Sequence, residues 1–127
     1  MKTFIVSLLL LTLTLAFVIW NAWDLNKTLD SMLDLTQALP KESATFRKNT
    51  ENEKLLDTLW QLWDKNFNRL TVTTGYSNCN RADEAIVSMI AHYQNGNAED
   101  FTHARLLLWD SLKRMKMLES VSLHSIL

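Results

Sequence analysis

The residues of this chain that could do chemistry are few and scattered. Its histidines, His92, His103 and His124, lie eleven and twenty-one residues apart, and no pair of cysteines accompanies them. A zinc site needs ligands at short, fixed spacings so that four can meet at one point, and this pattern offers none. His92 adjoins Met89 and Tyr93 and is expected to be half-buried among them. The acidic pairs Asp83-Glu84 and Glu99-Asp100 fall at expected helix starts, where carboxylates favour the positive end of the helix dipole. A carboxylate pair that cleaves glycosidic bonds needs a cleft lined by sugar-binding aromatics, which a thin helical bundle seldom supplies. A Gly-rich phosphate loop, a nucleophile elbow and a Ser-His-Asp order are all missing. The expectation is therefore a protein that is not an enzyme, with no catalytic, cofactor-binding or metal-binding residues, no cofactor and no small-molecule substrate.

Cys79 is the only cysteine, so it cannot close an intramolecular disulfide. It lies too far along the chain to be a lipoprotein anchor. An inert, partly buried thiol is expected, with intermolecular pairing as the alternative.

The tryptophans are the stronger lead. Trp60 and Trp63 are three apart, and Trp109 adjoins Leu106–Leu108. Three-residue spacing places the two rings on neighbouring faces of one helix, so both need cover. An indole that a small bundle leaves uncovered marks a contact with another protein. Trp60, Trp63 and Trp109 are thus candidate partner contacts, with core packing as the competing reading.

These residues must be positioned by helices. The chain has 127 residues, with only two glycines and one proline, too few turn-formers for a sandwich or barrel. The net charge is -1, with both signs interspersed. Such a surface carries no basic stripe, so nucleic acid is not an expected partner.

Phe4 to Trp20 contains no charge. A helix from Thr3 to Trp23 would be roughly 31 Å long, close to the ~30 Å hydrocarbon core of a bilayer. Trp20 and Trp23 stand where the run ends and Asp24 begins, so they are expected at the membrane interface. A cleaved signal peptide is the alternative. Its apolar core is usually about 7–15 residues and is followed by a site of small residues. Here the run is longer, bulky Trp20 stands two before Ala22, and Thr14-Leu15-Ala16 lies inside the run. An uncleaved signal anchor over residues 1–23 is expected. Lys2 and the α-amino group precede the apolar run, so the N-terminus is expected in the cytoplasm and residues 24–127 outside.

Beyond the anchor, Leu25, Leu29, Met32, Thr36 and Leu39 form one stripe on a helix continuous with the span. Pro40 should kink or end it, and Ser43 and Phe46 suggest a kinked continuation to about Lys48. Thr50 and Glu53 read as a capping box. The next helix carries Leu56, Leu59, Trp63, Phe67 and Leu70 and stops near Gly75. Asn80 is the expected cap of a third helix with Ala82, Ile86, Met89, Ile90 and Tyr93 inside. Asn95-Gly96 ends it. Asn97 caps a fourth, lined by Phe101, Ala104, Leu108, Leu112, Met115 and Leu118. The short connection forces these last two into an antiparallel hairpin. The expected fold is all-α: an N-terminal transmembrane helix continuing into an extracytoplasmic antiparallel bundle of about four helices.

The apolar run ending at Ile19-Trp20, the segment LWQLWDKNF at residues 59–67 and the hairpin ADEAIVSMIAHYQNGNAEDFTHARLLLWDSLKRM carry a resemblance. With the SLHSIL ending at Ser122 to Leu127, they make the chain similar to the uncharacterised Firmicutes membrane-anchored family called domain of unknown function 4363. Members often have a His and an acid before the third helix, where this chain has Cys79, Asn80 and Arg81. The resemblance implies a fold and a membrane location and no activity. Together these features predict an accessory subunit of a bacterial envelope membrane complex, meeting lipid and either another membrane protein or itself. The alternative is a ligand-binding sensor bundle that signals through a membrane partner.

Overall fold

The apolar run and the stripe that follows it form a single helix, α1, over Lys2–Ala38. In this computed structural model, residues 1–40, 46 and 48–126 are described, with side chains to residue 119. The described residues form three further helices: α2 over Thr50–Thr74, α3 over Tyr76–Gln94 and α4 over Ala98–Ile126. No strand occurs among them.

Helix α1 has two regimes. From Phe4 to Phe17 every large apolar side chain is exposed, as is Trp20. A helix apolar on all faces is stable in lipid or against another protein rather than in water. This one is long and apolar enough to cross a membrane. Its two central polar residues are satisfied within the helix: the Thr12 and Thr14 hydroxyls donate to the Leu8 and Leu10 carbonyls at 2.9 and 2.8 Å. Such internal pairing is what a low-dielectric surrounding requires. Burial begins at Ala22, and the whole expected stripe, Leu25, Leu29, Met32, Thr36 and Leu39, is buried.

The helix ends before the proline instead of kinking through it. Leu39 is extended, at φ -73° and ψ 156°. The Pro40 ring excludes the preceding residue from helical geometry. Phe46 and Lys48 are not helical, which corrects the expected continuation, while residues 41–45, including Ser43, lie outside the described residues.

Asn49, not Thr50, caps α2. Its Oδ1 accepts from the Asn52 amide at 2.8 Å, and Thr50 becomes the first helical residue. Asn is the better cap because its carboxamide reaches the free amide of the first turn at less cost. At the other end a lone Gly75 joins α2 to α3, with φ 93° and ψ 150°. The third helix therefore starts at Tyr76, ahead of the expected cap Asn80, and Cys79 falls into its buried face. Asn80 instead donates along the exposed surface to Glu84 at 3.3 Å. The backbone at Gly75 is one that only glycine adopts freely. A Cβ there would meet nothing within 4 Å, so strain alone sets the cost of a side chain. Gly75→Ala should destabilise the domain by about 1–3 kcal/mol, read as a shift in urea midpoint with an unchanged slope. The α3–α4 turn is as expected: Gly96 has φ 71°, and Asn97 Oδ1 accepts from the Asp100 amide at 3.3 Å.

The helices run up and down in ring order, α1 beside α2 and α4, and α3 beside the same two. Three bridges set the register. Arg69 Nη2, near the end of α2, donates to Asn21 Oδ1 at 3.0 Å and Asp24 Oδ2 at 2.8 Å. Lys116 of α4 pairs with Asp30. Arg105 Nε donates to the Thr36 carbonyl at 2.8 Å and so satisfies the C-terminal turn of α1. Burial pushes the Arg105 pKa down, but a guanidinium stays charged throughout the range in which proteins fold. The α2–α3 turn thus lies at the near end of the bundle, beside the apolar part of α1. The α3–α4 turn lies at the far end.

At the far end Phe46 packs edge to face on Tyr93 and Phe101 at 5.6 and 5.2 Å between ring centroids, and Tyr93 and Phe101 meet at a tilt at 5.9 Å. The Tyr93 hydroxyl both accepts from the Asn49 amide and donates to its carbonyl, at 3.1 Å each. Burial, the largest influence, pushes its pKa up and keeps that donor proton in place. On α4 the buried stripe ends differently from expectation. Leu118 is exposed, and Glu119 occupies the inward position at 2% exposure.

Candidate interaction site

Trp63 stands in the middle of α2, 1% exposed, and its Nε1 donates to Asp83 Oδ1 of α3 at 2.9 Å. Phe67 meets its ring edge-on at 5.6 Å. A ring so enclosed is core, which removes Trp63 from the candidate contacts. The bundle covers one of the two neighbouring indoles and leaves the other half-covered.

That other ring, Trp60, lies in an open groove of about 580 Å³ between α2 and α3. Leu56, Trp60, Val87 and Ile90 give the groove its apolar lining. Val87 is 50% exposed, although it lies on a helix whose opposite face is core. Charges stand around this lining: Glu53 and Asp57 on α2 and Lys48 at the far end. Lys48 Nζ also donates to the Gln94 carbonyl at 2.8 Å, which ties the start of α2 to the end of α3 across the groove. The result is an apolar trough with charges of both signs at its margin.

Trp109 is elsewhere. It is half-buried on α4, one turn from Arg105 and so on the flank facing α1, with Lys113 Nζ 5.1 Å from its ring centroid. It shares no patch with Trp60. Trp20 and Trp23 are exposed at 57% and 52%, where the bare part of α1 meets the bundle. Lys27 Nζ sits 4.0 Å over the Trp23 ring. An indole with a cation above it and an apolar helix below suits a membrane–water boundary.

His92 is half-buried and His103 exposed, while the His124 side chain lies outside the described residues. Among the described residues, no group of three His, Cys, Asp or Glu could hold a metal. Cys79 is fully buried rather than partly so, with Sγ 3.5 Å from Thr74 Oγ1.

The groove is not legible in the sequence, because it depends on which neighbour lies beside α2. The buried polar residues do carry a signal in the sequence. Asn52, Asn66, Arg105 and Glu119 all continue the 3-4 spacing of their apolar stripes and are all buried. Compared with protein-family models, curated proteins and solved structures, the chain matches none.

Proposed function

We propose that this chain is a single-pass, uncleaved membrane protein of a bacterial envelope, with its N-terminus in the cytoplasm and its bundle outside, acting as a non-enzymatic accessory subunit of a membrane complex. Membership of the family it resembles is part of this reading. The observation that carries it is the α2–α3 groove: an apolar trough holding the half-covered Trp60, on a bundle built directly onto an apolar helix. Its occupant is an amphipathic helix of a second membrane-anchored protein, since a furrow between two helices accepts a third by ridges into grooves. Trp109, on α4, lies outside this groove.

A photo-crosslinker placed near the groove in cells, followed by mass spectrometry, should recover one membrane protein reproducibly. Val87→Asp and Trp60→Ala should each abolish that adduct. Because Val87 is half-exposed, Val87→Asp should leave the melting temperature within about 2 °C of the parent, a shift of well under 1 kcal/mol. An adduct that survives both substitutions would overturn the proposal. The sensor reading draws on the same groove, whose volume falls in the range of small-molecule sites of about 300–1,000 Å³. It predicts no protein adduct at the groove.

A further inference from the structure

The α2–α3 turn, at the near end of the bundle, differs from the far end in composition and in position. No charged side chain lies between Arg69 and Arg81, a stretch that spans the α2–α3 turn. The two large residues of that turn point outward: Val72 is 88% exposed and Tyr76 67%. The far end instead carries Lys48, Glu51, Glu53, Glu99 and Asp100 at its surface. Exposed apolar and aromatic groups on an uncharged stretch of chain are costly in water and favourable at a lipid headgroup boundary, where Tyr is enriched.

Register places this turn at the membrane. Arg69 is bonded to Asn21 and Asp24 of α1. Val72 lies three residues further along an antiparallel helix, about 4.5 Å nearer the apolar run. That brings it level with Trp20, at the end of the bare segment. Because α1 is one uninterrupted helix from Lys2 to Ala38, the height of the bundle over the bilayer is set by rigid geometry and not by a linker.

We propose that the α2–α3 turn is a second membrane contact, with Val72 and Tyr76 inserted into the lipid interface beside Trp20 and Trp23, so that the bundle is seated on the bilayer at two points. The seat rests on the reading of α1 as a membrane span. Two contacts fix the azimuth of the bundle as well as its height, and so set the direction in which the α2–α3 groove faces along the membrane.

The test uses the full chain in vesicles of phosphatidylethanolamine and phosphatidylglycerol. A spin label is placed in turn by Val72→Cys, Tyr76→Cys, Leu11→Cys and Asn97→Cys, with buried Cys79 left in place and the parent shown to take no label. Circular dichroism confirms that each variant is folded. Labels at 72 and 76 should show a several-fold loss of collisions with a water-soluble nickel complex, and a gain with oxygen, relative to the label at 97. The label at 11 should be fully shielded. If 72 and 76 are as accessible to nickel as 97 while 11 is shielded, the seat is wrong and the span stands. If 11 is also accessible, the span fails and the seat with it.

Discussion

Trp63→Ala should destabilise the bundle by about 3–5 kcal/mol, the usual cost of truncating a large buried aromatic. The ring is 1% exposed and joins α2 to α3 through the Asp83 carboxylate, so its loss opens a cavity and strands a hydrogen-bond acceptor. Stability of this order is a large part of what a domain of this size possesses, so the variant should be substantially unfolded at 37 °C. Trp63→Phe separates the two effects. It keeps most of the packing and removes the donor, and should cost about 1–2 kcal/mol. Trp60→Ala, three residues away, should cost less than half as much as Trp63→Ala, because its ring is already partly in solvent. Urea unfolding of the detergent-solubilised chain measures all three. Equal losses for Trp60→Ala and Trp63→Ala would contradict the division between groove and core.

The second large effect concerns Glu119. Its side chain is 2% exposed, and Oε2 has no hydrogen-bond partner among the described residues. Burial holds its carboxyl above the usual carboxylate range. Register from the Lys116–Asp30 pair puts it at about the height of Lys27 on α1, next to Asn26, whose Oδ1 is also buried without a partner among the described residues. Protonation gives the buried Glu119 carboxyl a donor of its own and removes the buried charge. The pH dependence follows from the raised pKa. The folded state holds the proton more tightly than the unfolded chain, so this contribution is fully present below the ordinary carboxylate pKa. It is lost as pH rises through the folded value. Glu119→Gln abolishes that titration. The variant should therefore be more stable than the parent at pH 7 by about 1–3 kcal/mol, and the two should converge near pH 4. The difference between the two urea-midpoint profiles is the measurement, because the pairs Asp24–Arg69 and Asp30–Lys116 occur in both proteins and cancel. A variant less stable than the parent at neutral pH would show that the carboxylate is satisfied.

Glu119 lies on α4 toward α1, at the end of the bundle nearest the apolar segment, so its protonation bears on the contact between those two helices. The groove between α2 and α3 lies on the other side of the ring and should bind its occupant with little dependence on this group. Partner crosslinking at pH 5 and pH 7 should therefore differ little.

Much of this architecture was legible in the order of the residues. Stripes at 3-4 spacing identify helices because burial on one face is a local, periodic demand, and nearly every apolar position so assigned is buried. Gly75 and Gly96 mark turns because each takes a backbone angle that other residues avoid. The apolar run to Trp20 declares itself by length and composition. Errors at the helix ends came from competition between adjacent candidates. Asn49 stood next to Thr50 and outbid it as a cap, and a one-residue turn at Gly75 left Asn80 with no end to cap.

Only the tertiary structure decided the rest. Trp60 and Trp63 are alike as letters, and their fates differ because α3 lies across one and beside the other. The groove belongs to two helices together. The pairing of Arg69 with Asp24 joins residues far apart in sequence, and that pairing brings the uncharged turn down to the level of Trp20. Periodicity assigns each residue a face of its own helix. Which neighbour covers that face, and at what height along the bundle, is settled by the register of antiparallel helices, which no local pattern encodes.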